Sequence, residues 1–113
     1  MKLVVAVLNP LALGDIKERV LGIGITGMTI TEAHGFGHEP GHTEVYRGAE
    51  YEVDFVPKLR IEIVADDHQA DEVVDVIARW ATTGHVGDGM VWVMPVDTAV
   101  RISTGQRGVA ALA

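Results

Sequence analysis

Residues 35–57 read GFGHEPGHTEVYRGAEYEVDFVP. The stretch lies between a β-rich run ending near Ala33 and another beginning at Lys58. Connections in compact domains are usually about four to six residues, and much longer ones tend to be functional or disordered. This one carries four glycines, yet it is not low-complexity, because Tyr46, Arg47, Tyr51 and Phe55 are bulky and specific. A loop of that kind on a rigid scaffold suits contact with a partner protein. Read as a connection, it divides the chain into two halves of similar pattern.

The first half opens with KLVVAVL at 2–8, apolar in both alternate sets, which predicts a strand covered on both faces. Asn9 and Pro10 break it. Ile16, Val20, Leu21 and Ile23 recur at helical spacing, predicting a helix over 13–21 with Asp15 near its start and glycines 22 and 24 at its end. GMTITEA at 27–33 alternates as a second strand. In the second half, KLRIEIVA at 58–65 puts Leu59, Ile61 and Ile63 on one face and Arg60, Glu62 and Val64 on the other. Asp66 or Asp67 caps a helix whose stripe is Val73, Val74, Ile77 and Trp80. A strand over 90–94 stops at Pro95, 99–103 is read as one more short strand, and the tail at 104–113 as mobile.

This order predicts an α+β fold, the ferredoxin-like split βαβ-βαβ. Two helices cover one face of a four-stranded sheet. The first and last strands are apolar on both faces, so something must cover the second, and a homo-oligomer is the economical answer.

At 113 residues the chain is one domain, and domains this small are often helped by oligomerisation. A net charge of −7 leaves no electrostatic footprint for nucleic acid. The absence of cysteine excludes a disulfide framework and thiolate catalysis. MKLVVAVLNP reads as a strand and not a signal peptide, and no apolar run approaches the roughly 20 residues that span a bilayer. A cytoplasmic protein without direct membrane insertion is expected.

Several groups carry candidate chemistry. GHVGDG at 84–89 could let backbone N–H groups meet an anion, although the local sequence favours an ordinary helix-to-strand turn. His34, His38 and His42 lie four apart among glutamates, but that spacing converges on a helix and not on a strand end and loop, so no metal site is assigned. Asp66, Asp67, Asp71 and Glu72 read as the charged start of a helix. His85 beside Asp88 can be imagined as a catalytic pair, but the flanking glycines point to ligand cradling. No nucleophile–base pair stands out, and no catalytic residue is assigned.

YRGAEY at 46–51, followed by VDFVPK to Lys58, closely resembles the long T-loop of the PII signal-transduction proteins. TGHVGDGMVWVMPV at 83–96 resembles that family's C-terminal signature, and the likeness covers nearly the whole chain. The resemblance implies a homotrimer with the sheets facing inward, and a T-loop over about 37–55. It implies ATP or ADP between subunits. Thr29, Gly35, Gly37, Glu62 and Val64 would serve the nucleoside, Gly87, Asp88 and Gly89 the phosphates, and Arg101 would reach phosphate from a neighbouring subunit. His38 stands at a further family contact. Glu39 and Lys58 match the positions that serve Mg²⁺ and 2-oxoglutarate. Tyr51 matches a modification site of some members, with simple loop packing as the competing reading. Arg47 matches a contact to a target such as an ammonium channel.

The departures point the other way. Met90 and Ser103 stand where the family commonly has cations, His38 where it has arginine, and Glu39 where it has glutamine. Charge-assisted contacts to phosphate are roughly twice as strong as neutral ones, so losing them weakens a triphosphate most and lets ADP or AMP compete. Glu39 adds negative charge beside a dianion, and Pro40 removes a backbone donor, which weighs against 2-oxoglutarate sensing. The expected function is a nucleotide-binding regulator that controls a transporter, enzyme or regulator through its T-loop. The alternative is a divergent module answering AMP or ADP, a metal ion or a small anion. A small hydrolase and a purely structural trimer remain as further classes.

Overall fold

The structure, a computed structural model, describes residues 1–36, 42–46, 49–53, 55–85 and 87–112, with the backbone alone for 42–46 and 49–53. Its strands are β1 (Lys2–Leu8), β2 (Thr29–Gly35), β3 (His42–Tyr46), β4 (Ala49–Val53), β5 (Val56–Ala65) and β6 (Gly89–Pro95). Its helices are α1 (Leu13–Gly22) and α2 (Asp67–Trp80), with 3-10 turns at Pro10–Ala12 and Gly108–Leu112.

Four strands form one antiparallel sheet in the order β2-β5-β1-β6. This is the α+β arrangement expected from the sequence. Register sets the faces: Val4 lies between Ile63 and Val93, and Ala6 between Ile61 and Val91. These positions turn toward the helices and join Leu8, Ala65, Ile16, Val20, Val73 and Ile77 in one buried cluster. Each fully buried Val, Leu or Ile contributes about 1.5–3 kcal/mol of transfer free energy, so this cluster dominates stability.

The opposite face carries Leu3, Val5 and Val7 of β1, Trp92 opposite Val5, and Lys58, Arg60, Glu62 and Val64 of β5. No helix covers it. Val5 is nonetheless buried, flanked across the ladders by Glu62 and Trp92. Val64, Met90 and Met94 on the same face are exposed.

Local signals set the ends. The Asn9 side chain accepts from the Leu11 N–H at 3.0 Å to start the first 3-10 turn. Of the two aspartates considered as caps, Asp66 is the one, its Oδ1 accepting from the Gln69 N–H at 2.8 Å.

Five expectations change. First, β2 begins at Thr29 and runs on to Gly35, because its ladder with β5 continues to the pair Gly35↔Val56. Second, the buried stripe of α2 is Ala70, Val73 and Ile77, while Trp80 stays partly exposed under the Arg19 guanidinium, 3.7 Å from the ring centre. Third, no strand forms over 99–103. Val100 makes a single bridge to Arg107, and the chain turns back tightly through Gly105 at φ +75°. Fourth, the tail is not a loose end: Gly108–Leu112 forms a 3-10 helix with Ala111 buried. Fifth, the stretch read as a connection contains β3 and β4, which pair with each other in register from His42↔Val53 to Tyr46↔Ala49 and with no strand of the main sheet. Among the described residues, no helix is long and apolar enough to cross a membrane.

Candidate functional site

The residues singled out by sequence fall into two groups. The first gathers around a cavity of about 910 Å³ beside the β2 edge. Thr29 stands opposite Glu62 in the β2–β5 ladder, and Val64 follows two residues on, on the same face. All three line the cavity with Arg101. Glu62 also accepts from the Arg60 Nε at 3.2 Å, which ties its carboxylate to a neighbour on the same face of β5. The remaining walls come from 24–28, where Gly24 turns at φ +94°, and from the closing 3-10 helix. Arg101 reaches the cavity from the turn at 99–108, fastened by its own N–H to the Gln106 carbonyl at 2.9 Å and by the Gly108 N–H to Ala99 at 3.0 Å.

The second group is Gly35, Lys58, Gly87, Asp88 and Gly89. Lys58 is only 9% exposed, and its Nζ donates to the Gly87 carbonyl at 2.5 Å. Its stem passes Gly35 with Cγ 3.8 Å from where a Cβ would stand. The base of the hairpin and the glycine loop are thereby joined through one side chain. Phe36 and Phe55, the residues just beyond the last pair of the β2–β5 ladder, pack edge to face at 5.4 Å between ring centres.

Asp88 shapes the loop. Its carboxylate accepts from the Thr83 N–H at 2.7 Å, the Thr83 hydroxyl at 2.5 Å and the Gly84 N–H at 3.0 Å. The Thr83 hydroxyl and backbone, with smaller help from Gly84 and His85, hold its carboxyl below the ordinary 3.8. The side chain is therefore engaged within the loop, which leaves backbone N–H groups as the loop's means of meeting an anion. Gly87 and Gly89 adopt φ of +97° and +114°. Met90, 70% exposed, follows directly.

The two groups lie toward opposite ends of the uncovered face. Lys58 and Val64 are six residues apart on β5, about 20 Å along the strand. One copy therefore does not bring both groups onto a single small ligand.

Gly37, His38, Glu39 and Arg47 lie outside the described residues, and of Tyr51 only the backbone in β4 is described, opposite Glu44. His34 is exposed on β2. Among the described residues, no three His, Asp or Glu side chains gather as metal ligands. Sequence reasoning missed the 24–28 wall, Gln69 and the closing helix. The last did leave a trace, since GVAAL is apolar where a solvated tail would be polar.

Comparison with known proteins adds the remaining finding. The family model described as nitrogen regulatory protein P-II matches residues 1–106. The chain is 51% identical over 112 residues to "Nitrogen regulatory protein P-II 1" of Escherichia coli K12, covering 99% of this chain and 100% of that protein. "Nitrogen regulatory protein P-II" of Klebsiella oxytoca matches to the same extent. The protein of that name from Pasteurella multocida is 49% identical over 106 residues, 94% of this chain and 95% of the relative.

Proposed function

This chain belongs to the nitrogen regulatory protein P-II family, and on that premise we propose that it works as a homotrimer binding adenine nucleotide in clefts between copies. Members are signalling regulators of nitrogen metabolism and not enzymes. In this reading the nucleotide sets the conformation of the T-loop at about 37–55. That loop then engages or releases a cytoplasmic or membrane-bound target, a transporter, enzyme or regulator. A ligand drives such a switch only by binding the two loop states differently.

One observation carries the reading: the site residues divide between two ends of one uncovered sheet face. A neighbouring copy seated on that face would bring one copy's Thr29, Glu62, Val64 and Arg101 against another's Gly35, Lys58, Gly87 and Gly89. The cavity, with both apolar and polar lining, suits a purine, and the glycine loop with Lys58 and Arg101 suits phosphate. The exposed Val64, Met90 and Met94 support an interface there. Lys58 lies where a 2-oxoglutarate carboxylate could displace the Gly87 carbonyl from its amine. Mg²⁺ would depend on Glu39.

A second reading rests on Met90. This exposed thioether at the exit of the glycine loop offers phosphate no charge, and Ser103 is exposed and neutral. A site so short of cations favours ADP or AMP over ATP and a weak response to 2-oxoglutarate. Calorimetric titration with ATP, ADP and AMP, each with and without Mg²⁺ and 2-oxoglutarate, separates the two. Binding of 2-oxoglutarate only with Mg-ATP supports the first reading in full. Binding of AMP or ADP without that response supports the second, and failure of all three nucleotides rejects nucleotide sensing.

A further inference from the structure

Trp80 ends α2 in the helix layer, on the side of the sheet away from the uncovered face. Two arginines converge on its ring. The Arg19 guanidinium, from α1, lies 3.7 Å from the ring centre, and the Arg79 guanidinium lies 5.6 Å from it. Both arginines stand in the last turn of their helices, where a cation suits the helix dipole. The dipole does not account for where they point. Asp15 precedes Arg19 by four residues and Asp75 precedes Arg79 by four, the spacing and order that favour an ion pair along a helix. Neither pair forms, and among the described residues neither arginine makes any ion pair. Both turn to the one indole instead. Arg19 and Arg79 are exposed, Trp80 is 37% exposed, and none of the three lines either cavity. A guanidinium stacked on a ring keeps N–H donors at its rim, and the ring does not neutralise its charge.

We propose that Arg19, Arg79 and Trp80 form a docking surface for an acidic segment of a partner protein, whose Asp or Glu carboxylates the two guanidiniums take while the segment covers the indole. The inference goes beyond the nucleotide reading and does not depend on it. Two like charges gathered on one ring repel each other, and a carboxylate between them removes that repulsion while accepting from both. An open surface gives a free anion no walls to hold it. A chain segment laid across the same surface adds contact with the exposed indole to the charge pairing. Trp and Arg are also among the residues in which binding energy concentrates at protein interfaces. With copies seated on the uncovered sheet face, this helix surface would stay on the outside of the assembly.

The test uses a short polyglutamate peptide as probe. It is titrated into the full chain carrying Trp92→Phe, so that the indole fluorescence comes from Trp80 alone. The fluorescence should change saturably with polyglutamate and not with a polyglutamine peptide of equal length, and added salt should weaken the binding. The net charge of −7 opposes non-specific uptake of such a peptide, so saturation reports a local site. Arg19→Gln with Arg79→Gln should weaken binding roughly tenfold or more. Arg19→Lys with Arg79→Lys keeps the charge without the planar fork and should weaken it several-fold. Anisotropy of the labelled peptide with the unaltered protein gives the readout should a variant fail to fold. No response to polyglutamate, or equal affinity in the glutamine variant, overturns the proposal. Inorganic phosphate binding as tightly as the peptide would mark a site for free anions and overturn it too. A changed sedimentation mass on removing the arginines would mark a contact between copies, with the same consequence.

Discussion

Gly89 has no room for a side chain. A Cβ built there would sit 1.9 Å from the Val7 carbonyl oxygen, and its φ of +114° disfavours any L-residue. Gly89→Ala should lower stability by more than the about 1–3 kcal/mol that backbone strain alone costs, read by denaturant unfolding. Asp88 makes a different prediction. Its carboxyl titrates below 3.8 in the folded loop, so its stabilising contribution is present above that value and is lost as pH falls below 3.8. Asp88→Asn should therefore show a shallower loss of stability below pH 3.8 than the parent, in melts taken across acid pH. The glycines at 84–89 were legible in sequence as either a turn or an anion cradle. Asp88 was legible only as part of that run, because its partners Thr83 and Gly84 reach it through the loop's own closure, which no spacing rule encodes.

Among the elements, those with a clean period were readable. β5 shows its buried face as every second residue from Ile61 and α2 as i, i+3 and i+7, while β1 was readable from being apolar on both faces. Trp80 fit the helical period but not the burial, because the partner it found was Arg19 on the neighbouring helix. β3 and β4 were hidden because each pairs only with the other, so neither shows the apolar face a core demands. The closing helix was hidden because five residues are too few to show a period. Lys58 links two elements, and removing its amine leaves the Gly87 carbonyl without that donor. Lys58→Met keeps the stem but should cost about 1–3 kcal/mol, the size of a lost buried hydrogen bond. It should also speed amide exchange over 84–89 more than elsewhere, whereas unchanged exchange there would show that the link is not structural.

For the whole molecule, the uncovered sheet face was foreseen from the doubly apolar first and last strands, while the number of copies came from family likeness alone. Ile102 stands 99% exposed on the turn that carries Arg101, so a copy seated over it would remove that apolar surface from water. Sedimentation should give the mass of three 12.1 kDa copies, and Ile102→Asp should shift it toward one. A single-copy mass for the parent protein would remove the basis for a shared site. In the proposed trimer, one nucleotide joins the two residue groups across copies and reaches the hairpin. Hydrogen–deuterium exchange of the full chain, with and without saturating nucleotide, tests it most directly. Slower exchange is expected at 24–29, 62–64 and 99–112 together with 84–89, and an altered rate over 42–53. Protection confined to one group, or no change at either, would contradict it.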